Sequence, residues 1–167
     1  MDNERAGADG ARPLPFPMDV LILRDPREST KKCSLTPLRG APGVRFLEYQ
    51  RERRYAVGRR ILLSPEGELL GPADAGGDLL LLDCAWRRVP QLLAAVDGEL
   101  SARRLPPLVS AYPRTSRIFV DPAQGLASVE ALYAASVLLG DPHPEWLAGY
   151  RWAAEFLAAN PRVLPMP

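Results

Sequence analysis

The chain has 167 residues, 47% of them hydrophobic, and a formal net charge of +1. That length supports one domain, or two small halves sharing an interface, and the composition excludes a fibrous or wholly disordered class. With Cys33 and Cys84 the only cysteines and His143 the only histidine, zinc sites and Ser-His-Asp hydrolases are effectively excluded.

Residues 1–18 carry Asp2, Glu4, Asp9 and a proline cluster from Pro13 to Pro17, without an apolar core. They read as a disordered tail rather than a secretory signal, and no later apolar run is long enough to span a bilayer. A soluble, cytoplasmic protein with reduced thiols is expected. Asp19 to Arg24 is rich in strand formers and reads as the first buried strand, ended by Asp25-Pro26. Arg27 to Arg39 shows neither helical nor alternating period and reads as a loop with a helical turn. Gly43 to Tyr49 alternates with period two and predicts a half-exposed strand. Ile61 to Leu63 is another short apolar run, closed by Ser64-Pro65, and Glu66 to Gly77 reads as loop.

The chain is organised around Leu79 to Leu82, four leucines followed at once by Asp83-Cys84-Ala85-Trp86. Such a run reads as a strand buried on both faces of a parallel sheet. Ligands of open parallel sheets sit beyond the carboxyl ends of the strands, where Asp83 and Trp86 fall. The other reading makes Asp83 a helix cap and Trp86 a core residue. Trp86 to Val96 carries a helical apolar face, and Pro90 fits only in the first turn, so the helix starts near Arg87 to Val89. Arg103 to Pro113 holds three prolines and is extended. Ser128, with Glu130 in the first turn and Gly140 at the end, opens a helix. Pro144 opens a last one, with Trp146, Leu147, Tyr150, Ala153, Ala154 and Leu157 inward and Asn160-Pro161 as its stop.

Charge is uneven. Between Arg24 and Arg60 there are eleven Lys and Arg against four acids. This is either the footprint of a phosphate backbone or a solvated face. Lys31, Lys32, Arg51, Arg53, Arg54, Arg59 and Arg60 are the candidate RNA contacts.

Several fragments in order carry a resemblance. Asp25-Pro26 with Lys32-Cys33-Ser34, then Leu63-Ser64-Pro65, Gly71-Pro72-Ala73-Asp74, Asp83-Cys84-Ala85-Trp86, Arg104 to Val109 and Leu126 to Leu132 resemble the small-subunit ribosomal RNA aminocarboxypropyltransferases. The likeness runs from about Asp19 to Leu164. It implies an α/β fold of the SPOUT type, trefoil-knotted, with a parallel-sheet N-terminal half over 19–107 and a mainly helical half over 108–167. It also implies S-adenosyl-L-methionine at their junction and small-subunit rRNA or a pre-ribosomal particle as partner, with no metal, no membrane and a monomeric chain.

Residue by residue, the resemblance puts Ser34, Asp83, Trp86 and Ser128 in the cofactor site, with Leu108 and Leu126 from the flanking fragments, and makes Asp83 the catalytic candidate. The family transfers the 3-amino-3-carboxypropyl group to a modified uridine and releases methylthioadenosine. Because the sulfonium activates three carbons, selectivity is a matter of positioning. Trp86 is expected to shield the methyl group, and Ser34 with amides near Ser128 to hold the carboxylate. Asp83 is expected to neutralise the ammonium, orient the ribose or accept the uracil proton. Cys33 and Cys84 read as buried neighbours of the motifs, not nucleophiles. Where the family has Ala-Ala-Asn-Pro and then Asn-Tyr-Gly, this chain has Ser110 to Ser116 and a different stretch to Gly125. On that stretch a SPOUT-like RNA methyltransferase and a noncatalytic ribosome-assembly RNA-binding protein stay open as alternatives.

Overall fold

A computed structural model describes residues 18–31, 33–113 and 125–165. Strands β1 (Val20–Arg24), β2 (Val44–Glu48), β3 (Tyr55–Leu69), β4 (Leu79–Asp83) and β5 (Val96–Arg104) form one sheet in the order β2-β1-β4-β3-β5. Every pairing is parallel. Parallel sheets need both faces covered, and alternation along the central strands supplies both. Val20, Ile22, Leu79 and Leu81 enter one apolar cluster, whereas Leu21, Leu23 and Leu80 enter the other. Helix α1 (Val89–Ala94) covers the second cluster through Leu92. Helices α2 (Ser128–Leu138) and α3 (Ala153–Ala159), with Trp146 between them, cover the first. Leu79 and Leu80 are fully buried, and each such leucine stabilises the fold by about 2 kcal/mol.

The strand expected at Leu79 and the helix expected at Ser128 both form. Helix α2 ends at Gly140, whose φ of +79° suits the left-handed position after a helix. It is buried nearly all round, from Val129 to Ser136 except Ala131, as a helix between a sheet and a second helical layer must be.

Four elements differ from expectation. Strand β3 extends from Tyr55 to Leu69 instead of stopping at Ser64-Pro65. A bulge between Leu63 and Glu68 in its pairing with β5 takes Pro65 out of the ladder, which removes the objection to proline. Strand β5 begins at Val96, where a helix end was expected. It is an edge strand, so its polar, half-exposed sequence lacks an apolar signature. Gly98 lets it approach β3, since a Cβ there would lie 2.3 Å from the Gly58 carbonyl oxygen. The last helix divides into a 3-10 turn over Pro144–Leu147 and α3, which leaves Ala154 exposed. Finally, Met18 belongs to the core at 2% exposure, its amide donating to Asp141 Oδ2 at 3.1 Å. The rest of the expected tail, residues 1–17, lies outside the described residues.

Candidate functional site

The site lies at the carboxyl end of the sheet. A cavity of about 380 Å³ is walled by Leu63 of β3, Leu81 of β4, residues 103–108 at and beyond the end of β5, and Gly125, Leu126, Ser128 and Ala131 around the start of α2. This unites three expected cofactor residues, Leu108, Leu126 and Ser128. Each wall has a local cause. Leu63 and Leu81 project from the strand face that also carries the α2 core. The two prolines Pro106 and Pro107 keep the chain after β5 extended, so it passes across the strand ends instead of coiling.

The start of α2 is fixed by Glu130, whose sequence position signals no more than a favourable first-turn charge. Glu130 is fully buried. Its carboxylate accepts the Ala127 amide at 2.7 Å, the Ser110 hydroxyl at 2.6 Å and the Ala111 amide at 2.9 Å. Three charge-assisted bonds offset the desolvation of one carboxylate. Asn160 performs the matching task from the other side. Its side chain accepts the Val109 amide and donates to the Val109 carbonyl, both at 2.8 Å. The helix stop seen in the sequence is therefore also a clamp on the cavity wall. No local pattern reveals either partner, because Glu130 lies 19 or 20 residues, and Asn160 51, from the groups they hold.

Ser34 is placed at the same junction. Its hydroxyl accepts the Val129 amide at 3.1 Å, so it satisfies one of the free donors of the α2 amino terminus. That amide is thus engaged by the chain itself, and it does not serve as a free donor to a carboxylate as expected. Ser34 lines a second cavity of about 490 Å³ beside Cys33, Tyr112 and Trp152. The single cavity expected between Ser34, Asp83, Trp86 and Ser128 is divided: the Ser34–Val129 contact stands between two chambers.

Asp83 borders neither chamber but links them. It is two residues beyond Leu81 on the same strand face. Oδ2 accepts Arg24 Nε at 2.9 Å and the Cys33 thiol at 3.1 Å. Arg24 faces it in register on β1. Arg24 Nη2 also reaches Cys33 Sγ at 3.1 Å, while Nη1 is buried without a hydrogen-bond partner among the described residues. The guanidinium carbon lies 4.8 Å from the Phe46 ring centroid, which offsets part of that cost. Asp83 makes no helix cap: the 3-10 turn beginning at Trp86 has no side-chain cap. Trp86 is 56% exposed, so it is no core residue, and it lines neither chamber.

Charges near Asp83 set the local chemistry. Burial, followed by the Asp83 and Asp25 carboxylates, pushes the Glu28 carboxyl above its ordinary range. Burial and Asp83 likewise raise the Cys33 thiol. Cys84 is pushed up to about 12, by burial first and then by Asp25, Asp83 and Glu28. Both thiols therefore stay protonated at neutral pH and are poor nucleophiles.

The expected RNA surface is partly corrected. Arg60 is 7% exposed and faces inward, donating to the Val57, Asp19 and Leu79 carbonyls and pairing with Asp19. Alternation explains this, because adjacent Arg59 and Arg60 must point to opposite faces. Arg54 and Arg59 are exposed but paired with Asp97 and Glu99 across β3 and β5. Lys31, Arg51 and Arg53 remain exposed. Lys32 lies outside the described residues.

The comparisons with known proteins come from two directions. A family model described as "Ribosome biogenesis protein, C-terminal" matches residues 61–166. Among solved structures, the chain is similar to the SAM-dependent rRNA:acp-transferase Tsr3 from Vulcanisaeta distributa, with a TM-score of 0.67 and 25% identity over 89% of this chain and 82% of that one. No curated protein matches the chain.

Proposed function

The chain belongs to the ribosome biogenesis protein family, and from that premise we propose that it transfers the 3-amino-3-carboxypropyl group of S-adenosyl-L-methionine to a uridine of small-subunit rRNA. The observation that carries this is the chamber of about 380 Å³ at the carboxyl ends of β3 to β5, in a fold similar to that of the Tsr3 transferase. Its residues fit a sulfonium nucleoside. Leu63, Leu81, Leu105, Leu108 and Leu126 offer apolar walls to an adenine, and Ser64 and Ser128 offer hydroxyls at the margin.

Bound S-adenosylmethionine would supply a carbon activated by positive sulfur, with neutral methylthioadenosine as the leaving group that takes the carbon–sulfur electron pair, and the attacking uridine nitrogen would give up its proton. The chain's own part is orientation. Glu130 and Asn160 hold the two ends of the chamber wall. Arg24 and Cys33 anchor Asp83 through Oδ2. This leaves Oδ1 as the oxygen that accepts the uridine proton or meets the ammonium. Trp86, exposed three residues past β4 and lining neither chamber, has to turn toward the donor to offer its aromatic face to the methyl side of the sulfonium.

The knotted threading, a mainly helical C-terminal half, a metal-free monomer and a cytoplasmic location belong to the same reading. No helix among the described residues is long and apolar enough to cross a membrane.

The test is incubation with small-subunit rRNA and S-adenosylmethionine labelled in either the methyl or the carboxyl carbon. Label entering RNA from the carboxyl form alone is the expected result. Entry from the methyl form alone would make the chain a methyltransferase, and entry from neither a noncatalytic assembly factor.

A further inference from the structure

A second chamber lies beside Ser34, apart from the one assigned to the donor. Its volume is about 490 Å³, and its lining includes Lys31, Ser34, Tyr112, Arg151 and Trp152, with no acidic residue among the described ones. Tyr112 and Tyr150 meet the Trp152 ring edge to face, with centroids 5.3 Å and 5.8 Å away. The Arg151 guanidinium lies 5.6 Å from the same ring. Tyr150, 7% exposed, also lines the chamber. Its hydroxyl is buried and faces the Glu130 carboxylate, and burial first and then that carboxylate hold it above the ordinary tyrosine range. Gly149 brings this aromatic segment against the Lys31 loop, since a Cβ there would lie 2.8 Å from Pro37 Cβ.

Aromatic rings interleaved with cations are what single-stranded RNA requires: bases stack on the rings and phosphates meet the charges. A base that undergoes chemistry must also leave its stack. The position is equally specific. Ser34 in this chamber contacts Val129, whose neighbour Ser128 lines the donor chamber. A base in one chamber and a donor in the other would meet at that contact.

We propose that this second chamber receives the acceptor uridine, unstacked from its RNA strand, with Tyr112 and Trp152 against the base and Lys31 and Arg151 on the flanking phosphates. The assignment of the base as acceptor rests on the transferase reading above.

Two measurements on the full chain test it. Irradiation at ultraviolet wavelengths with an unlabelled oligouridylate joins uracil to residues in contact, and peptide mass spectrometry reads the positions. Adducts at Tyr112, Tyr150, Trp152 or Cys33 are expected; adducts confined to other segments overturn the proposal. Trp152→Ala, and Lys31→Ala with Arg151→Ala in case the first variant folds poorly, are then assayed for transfer to rRNA. The KM for RNA should rise roughly tenfold, near the low end for one base stack, with the Kd for S-adenosylmethionine unchanged by calorimetry. An unchanged RNA KM in the folded Lys31/Arg151 variant overturns the proposal. If adducts fall in the chamber but the wild-type chain transfers no label, the RNA site holds and the transferase reading fails.

Discussion

Arg24 donates to Asp83 at 2.9 Å from directly paired positions at the carboxyl ends of β1 and β4, with side-chain exposures of only 4% and 8%. The acid is held by the sheet, which separates its structural work from its chemistry. Asp83→Ala leaves a buried guanidinium uncompensated and should cost about 3–5 kcal/mol in a urea titration. Asp83→Asn keeps the shape and an acceptor oxygen but removes the charge. It should fold with a smaller loss of stability than Asp83→Ala, because Arg24 keeps a hydrogen-bond acceptor though not its counter-charge, and it should lose transfer by about a hundredfold, the scale of a proton acceptor. If Asp83→Asn turns over as fast as the wild type, Asp83 is an anchor only.

Trp86 offers a cleaner separation because its exposure removes it from the core. Trp86→Ala should leave the melting temperature near that of the wild type, since exposed side chains contribute within about 0.5 kcal/mol. Its affinity for S-adenosylmethionine should fall severalfold by calorimetric titration. Unaltered affinity in the folded variant would remove Trp86 from the cofactor site.

What the sequence showed, and what it hid, follows from the range of the interactions. Leu79 to Leu82 is legible because the run is short for a buried helix and is bounded by Gly76-Gly77 and Asp83, which suits a doubly covered strand. Helix α2 is legible because Glu130 and Gly140 mark its ends locally. Strand β5 was missed because an edge strand needs no apolar alternation, and its partner Tyr55 to Leu69 lies some 40 residues away. The site divides in the same manner. Ser128, Leu108 and Leu126 line one cavity, whereas Ser34 lines another and meets the start of α2 through the Val129 amide, 95 residues away.

Arginine placement sets a third prediction, which opposes two kinds of cation. Arg60→Ala removes the bonds to Val57, Leu79 and Asp19 inside the protein, so it should lower stability while leaving the salt dependence of RNA binding intact in any folded fraction. Lys31→Ala and Arg51→Ala alter exposed charges. Each should leave stability near the wild-type value and reduce the slope of log K against log salt by about 0.7 for every single-stranded phosphate that the variant no longer neutralises. The filter-binding slopes of the three variants check this; a shallower slope for Arg60→Ala than for the other two would restore it to the RNA surface.

The last prediction concerns pH. Burial, Asp83 and Asp25 hold the Glu28 carboxyl above its ordinary value of 4.5, so the folded chain binds a proton that the unfolded chain has released. Stability then falls as pH rises from the ordinary value through the elevated native one, because in that window the native state carries more protons than the unfolded state. Glu28→Gln keeps an oxygen for the Ala85 amide that Glu28 accepts and removes the charge facing the two aspartates. Thermal melts should therefore place Glu28→Gln above the wild type at pH near 7, with the two converging below about pH 4, where glutamate protonates in either state. A constant difference across that range would mean that the repulsion from Asp83 and Asp25 is not what separates them.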